Sequence, residues 1–253
     1  MEIIKDLKMI YSKAIKETIS KIKKNPIVIL LPLIFSIILS FVSILLSKAG
    51  GGYYIGFIIP LVYALILSVY YDMLSDLIYY NRVRISNIGP SSKRYFVSIY
   101  SIYFVLMIFN ILSTMLFAYN QTLTIIFWAI IFIVFNPVIE SIYLKGEHYV
   151  SAFSYSANFM KENFIQWIIP LVVFMLLQLA LGFSIISYIM DNGIINLSIG
   201  TKISFNMISG NILYYVKYLI LELLTGFYIV FRGNLFKILS SSTMRKRKYM
   251  GDI

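Results

Sequence analysis

Pro26-Ile-Val-Ile-Leu-Leu-Pro-Leu-Ile-Phe-Ser-Ile-Ile-Leu-Ser-Phe-Val-Ser-Ile-Leu-Leu46 is an uncharged run set between Lys23-Lys24 and Lys48. A helix of about 20 mostly apolar residues crosses the roughly 30 Å hydrocarbon core of a bilayer. The run reads as a membrane span. It is too long for the apolar stretch of a secretory signal, about 7–15 residues, and its charged lead is too extended, so the reading is of a retained span.

Five further runs qualify on the same ground: 53–71, 95–118, 123–143, 165–187 and 212–231. The fold class they imply is all-α, a six-span transmembrane helical bundle. Composition agrees, because 60% of the 253 residues are hydrophobic and only 13% are charged. Soluble domains carry about 45–50% and 25%. The mean hydropathy is +0.84.

Short connections set the pairing of the spans. Gly50-Gly51-Gly52 joins the first two and Tyr119-Asn120-Gln121 the third and fourth, so each pair is an antiparallel hairpin. The connection from 188 to 210 is longer and polar, with room for a short re-entrant or interfacial helix. Of the 22 lysines and arginines, all but Lys48, Lys202 and Lys217 fall on one side of this topology. Basic residues gather on the cytoplasmic side of short loops. The expected location is the cell membrane, with both termini cytoplasmic. The net charge of +11 then reflects topology, and no nucleic-acid partner is implied.

Residues 1–24 read as an interfacial amphipathic helix. Ile4, Leu7, Tyr11, Ala14, Ile15, Thr18 and Ile22 recur at three- and four-residue spacing, with Lys5, Lys13, Lys16 and Lys23 opposite. Such a helix lies in the headgroup layer and attracts anionic lipid, or else it packs on a partner. Residues 147–163 read as a second interfacial amphipathic helix.

The two segments are related by a shift of 138 positions. Tyr11 falls on Tyr149, Ala14 on Ala152, Lys23 on Lys161, Asn25 on Asn163, Pro32 on Pro170 and Leu39 on Leu177. The shared pattern is an amphipathic segment, Lys-x-Asn, then a span with proline in its first turns. An internal duplication with both copies starting on the same side is expected.

The segment Asn136-Pro137-Val138-Ile139-Glu140, with Tyr149-Val-Ser-Ala152-Phe-Ser-Tyr-Ser-Ala-Asn and Lys161-Glu-Asn-Phe-Ile165, carries a resemblance. It resembles the membrane domain found beside glycerophosphodiester phosphodiesterases and its stand-alone six-span relatives. The catalytic barrel of that family needs roughly 250 further residues, so the resemblance implies a membrane module without the enzyme. A looser likeness, to permease subunits of ATP-driven exporters, rests on the N-terminal interfacial helix and six spans. No Gly-x-x-x-x-Gly-Lys-Ser/Thr loop is present, so an ATPase would be a separate chain.

Chemistry-bearing residues are few. There is no cysteine and one histidine, His148, which excludes thiolate and multi-histidine metal sites; no metal or cofactor is expected. Glu222, Gln178, Asn110 and Ser40 fall at middle depths, where a polar group is costly against lipid. They are expected to face the bundle interior, with Glu222 towards Ser40, Gln178 or Asn110. Ser36, Ser40, Ser43 and Ser47 form one stripe, which reads as close helix packing or as the wall of a polar conduit. Asp72 and Asp76 are placed at the inner end of span two, as carboxylates paired with Arg82 or Arg84 or as a cation site. Glu140, at the inner end of span four, caps or pairs with the basic segment beyond. No serine or aspartate can be assigned to His148 from sequence, so no hydrolase triad is expected.

The function expected is therefore non-enzymatic: a multi-pass membrane protein that supports transport or organises a membrane complex. The alternatives are an exporter permease subunit and an interfacial lipid-processing enzyme. Expected partners are membrane lipids, including anionic lipid at the cytoplasmic face, and a separate ATPase or other membrane subunit.

Overall fold

Among the described residues, six helical stretches are long and apolar enough to cross a membrane: Pro26–Lys48, Phe57–Tyr80, Phe96–Phe117, Gln121–Lys145, Tyr149–Ala180 and Ile212–Ser241. The computed structural model describes residues 2–48, 55–84, 88–190, 194 and 212–242, and no strand occurs among them. The protein is an all-α helical bundle of the multi-pass membrane type.

In chain order the helices are α1 (Glu2–Lys24), a 3-10 turn (Pro26–Leu30), α2 (Leu31–Lys48), α3 (Ile55–Tyr80), α4 (Ile88–Arg94) and α5 (Phe96–Phe117). They continue with α6 (Gln121–Val134), α7 (Val138–Lys145), α8 (Tyr149–Ala180), α9 (Ile185–Met190) and α10 (Ile212–Ser241).

α10 is the hub. It packs on α1, the 3-10 turn, α2, α3, α7 and α8. Helices in lipid gain little from burying apolar surface against each other, so small residues that permit close approach matter more. Gly226 supplies one such contact, since a Cβ there would lie 2.3 Å from the Ile29 carbonyl oxygen. The backbone of the turn after α1 is seated directly on α10.

Two spans extend beyond their sequence-derived bounds. α3 continues from 71 to Tyr80, because Leu74, Leu77 and Ile78 keep a buried face at helical spacing. Asp72 and Asp76 therefore lie within α3 and not at its end. α10 continues past Phe231 to Ser241, with Leu235, Phe236 and Leu239 buried. Arg232, read from sequence as a cytoplasmic flank, is inside the bundle.

Breaks fall where the backbone chemistry asks for them. Asn136-Pro137 divides α6 from α7, since proline lacks the donor a continuous helix needs. Gly146 ends α7 at φ +72°, the left-handed conformation glycine adopts freely. Asn25 (φ −137°, ψ 72°) separates α1 from the 3-10 turn, and Asn163 (φ −126°, ψ 25°) kinks α8. These are the two asparagines aligned by the shift of 138.

The Tyr119-Asn120-Gln121 turn forms as read, with the Asn120 side chain accepting from the Leu123 amide at 3.1 Å. The glycine link 50–52 lies outside the described residues. So does most of the stretch 188–210, of which α9 reaches Met190.

α1 has three faces. Ile10, Ala14, Thr18 and Lys21 are buried against the bundle. Ile4, Ile15 and Ile19 form an exposed apolar flank beside them. Lys5, Lys13, Lys16 and Lys23 complete an exposed basic side.

Candidate functional site

Glu140 on α7 and Arg232 on α10 form a buried ion pair, 1% and 2% exposed. Arg232 Nη2 donates to Glu140 Oε2 at 2.8 Å and to the Asn136 carbonyl at 3.1 Å. That carbonyl is turned toward the arginine at the Asn136-Pro137 break. The Asn136 side chain in turn accepts from Trp167 Nε1 at 2.8 Å. The guanidinium carbon lies 4.9 Å from the Trp167 ring and 5.7 Å from the Tyr228 ring. Tyr228 is itself stacked on Phe174 at 4.2 Å. One buried cation thus gathers α7, α8 and α10 through a carboxylate, a carbonyl and two aromatic faces.

The sequence points Glu140 to a cap or to the basic segment beyond it, but its partner is Arg232 of α10, in the interior. The helical spacing Arg232, Leu235, Phe236, Leu239 was the signal that α10 ran on. Trp167 and Tyr228 carry no sequence signal of this role, and Asn136 stands out in the sequence only as the start of the segment Asn136–Glu140.

Glu222 is 0% exposed. Its partner is Ser36, whose Oγ donates to Oε1 at 3.4 Å. The Tyr218 hydroxyl, one turn earlier on α10, also bonds the carboxyl. Ser40, Gln178 and Asn110 do not bond it. Ser40 and Gln178 are buried as expected, and the Ser40 hydroxyl, both Gln178 amide atoms and Glu222 Oε2 have no partner among the described residues.

Asn110 is a correction, because it is exposed. It lies on the C-terminal half of α5, where Ile108, Ile111, Leu112, Met115 and Leu116 are also exposed. That part of the helix is at the bundle's periphery, and no neighbour covers the position.

The carboxylates of α3 act as fasteners. Asp72 accepts from Arg94 Nη1 at 2.7 Å and from the Ser91 hydroxyl, so its cation is neither Arg82 nor Arg84. Asp76 faces Arg84 at 3.7 Å. Ser68 Oγ donates to the Ser91 carbonyl at 2.7 Å and accepts from the Tyr95 amide at 2.9 Å. The α4–α5 corner is thereby stitched to α3.

Beside that corner is a pocket of about 420 Å³, lined by Ser75, Tyr79, Tyr80, Arg94, Tyr95, Tyr143, Leu144, Gly146 and His148. His148 Nδ1 shares a 2.7 Å hydrogen bond with Ser98 Oγ. Sequence reasoning found no serine for this histidine, because the two are 50 positions apart and meet only when α5 packs near the α7–α8 turn. Ser98 is buried and does not line the pocket, so the bond fixes the imidazole at its edge.

α1 is joined to the same end of the bundle. Lys21 Nζ donates to the Ile78 carbonyl at 2.6 Å, and Lys237 Nζ reaches that oxygen at 3.4 Å. Asn234 Nδ2 donates to Thr18 Oγ1 at 3.1 Å, and Asn25 Nδ2 to the Asn81 carbonyl at 2.9 Å. Burial first, and the neighbouring Lys237 charge second, push the Lys21 ammonium down to about 8.

Comparison with known protein families, with curated proteins and with solved structures finds no match to this chain.

Proposed function

We propose that this chain is a non-enzymatic, multi-pass membrane module that supports transport or organises a membrane complex at the inner leaflet, with both termini cytoplasmic. The observation that carries the reading is the construction of α1. One face is fastened to α10 and α3, an apolar flank is exposed, and a basic side is exposed next to it. Lipid would cover the flank while anionic headgroups meet the lysines, each contributing about 1 kcal/mol near a charged surface. The duplication, the positive charge of the connecting loops and the resemblance to phosphodiesterase-associated membrane domains support the same reading.

Replacing Lys5, Lys13, Lys16 and Lys23 together by glutamine tests it, since all four are exposed. Unaltered protein should melt at a higher temperature in phosphatidylglycerol nanodiscs than in phosphatidylcholine ones, and the variant should lose most of that difference. Equal melting of the unaltered protein in both lipids would remove the inner-leaflet role. Purification from native membranes then sorts the assignment, and an obligate ATPase partner would favour the permease reading over this one.

One contact favours a second reading, an interfacial lipid enzyme: the Ser98–His148 hydrogen bond beside the pocket. A serine made nucleophilic by histidine reacts with fluorophosphonates. Labelling that disappears in Ser98→Ala would support the enzyme, and absence of labelling would dismiss it.

A further inference from the structure

The pocket between α3, the α4–α5 corner and the α7–α8 turn is lined by four tyrosines, an arginine and the histidine, among others. Tyr79, Tyr80 and Tyr95 each carry a cation, of which Arg94 itself lines the pocket while Arg82 and Lys237 lie beside it. Lys237 Nζ lies 5.3 Å from the centre of Tyr79, the Arg82 guanidinium 5.4 Å from Tyr80 and the Arg94 guanidinium 5.3 Å from Tyr95. His148, held by Ser98, adds a ring nitrogen at the edge.

Asp76 pairs with Arg84, and Asp72 accepts from Ser91 and from Arg94 itself. Asp72 takes one nitrogen of Arg94, and the side chain of Arg94 is still 55% exposed. Its fork geometry suits a second oxyanion. Tyr80, 63% exposed, forms an open apolar rim.

Cations backed by aromatic walls, in a pocket of about 420 Å³, match an anion attached to an apolar body. We infer that this pocket binds the phosphate headgroup of an anionic phospholipid, with Arg94 as the main phosphate ligand, Arg82 and Lys237 as flanking charges, and Tyr79 and Tyr80 against the glycerol and first acyl carbons. The inference rests on the reading that this end of the bundle faces the inner leaflet. It goes beyond that reading because it names a discrete site, separate from the diffuse attraction of α1.

His148 is the one histidine of the chain, so its ring resonances report on the pocket alone. Protein in neutral detergent would be titrated with dioctanoyl phosphatidic acid, dioctanoyl phosphatidylcholine and glycerol 3-phosphate while those resonances are followed. Phosphatidic acid should shift them saturably, and the other two should bind at least about tenfold more weakly. Arg94→Gln should weaken phosphatidic acid by about tenfold or more, the consequence of losing one charge-assisted hydrogen bond.

Arg94 also holds Asp72, so Tyr80→Ala is the companion variant. It sits on the rim, should keep the melting temperature, and should weaken phosphatidic acid while leaving glycerol 3-phosphate unchanged. The four α1 lysine substitutions should leave pocket affinity unaltered, which separates failure of this site from failure of the inner-leaflet role. Equal response to phosphatidylcholine, equal affinity for glycerol 3-phosphate, or unchanged affinity in both folded variants would overturn the assignment.

Discussion

Arg232 sits inside an apolar bundle beside a carboxylate, a backbone carbonyl and two aromatic faces, while its Nε and Nη1 have no hydrogen-bond partner among the described residues. Desolvating two ions is expensive, and a buried pair can be worth less than an apolar replacement of the same shape. Removing one partner is a different matter, since it strands the other. Glu140→Gln and Arg232→Met should each destabilise the fold by about 3–5 kcal/mol, while the double variant should recover much of that loss. Unfolding in mixed micelles measures this, and additive losses would mean that the pair is not the unit described. Glu222, by contrast, has Ser36 and Tyr218 for company and no cation paired with it among the described residues. The sequence marked Glu222 as unusual at its depth and placed Glu140 at the inner end of span four. It did not reveal their partners, because Ser36 and Arg232 look respectively like a packing serine and a loop arginine until the helices are assembled.

At the scale of the element, α1 shows how one amphipathic pattern conceals two apolar surfaces. Its periodicity was legible, but the division into a docked face and an exposed flank was not, since both are written in the same residue types. Lys21 marks the boundary, a lysine turned inward to the carbonyl end of α3, where helix C-termini attract cations. Its folded pKa, about 8 against an ordinary 10.5, means that the unfolded chain holds the proton more tightly. Stability from this residue should therefore rise as pH increases from about 8 towards 10.5, and be lowest and flat below 8. The difference in melting temperature between unaltered protein and Lys21→Met should follow that course. A difference that is constant across the interval would contradict the assigned burial. The bends at Asn25 and Asn163 fit two related copies of one element, each an amphipathic helix broken at Lys-x-Asn before its span.

For the whole molecule, the six spans and the short Asn120 turn could be read from hydropathy and turn chemistry alone. Their ends could not, because a span boundary in sequence is where polarity rises, whereas α3 and α10 continue wherever neighbours still cover one face. Asn110 failed for the complementary reason, that a residue at middle depth need not be at the centre. The proposed six-span topology puts α1, the α7–α8 turn and the end of α10 on the inner side. The chain has no cysteine, so single cysteines at the exposed positions Ser12, Ser154, Ser241 and Tyr119 can be labelled with a membrane-impermeant maleimide in intact cells. Tyr119→Cys should react from outside, and the other three should react only after permeabilisation. External labelling at Ser12, or protection at Tyr119, would contradict it.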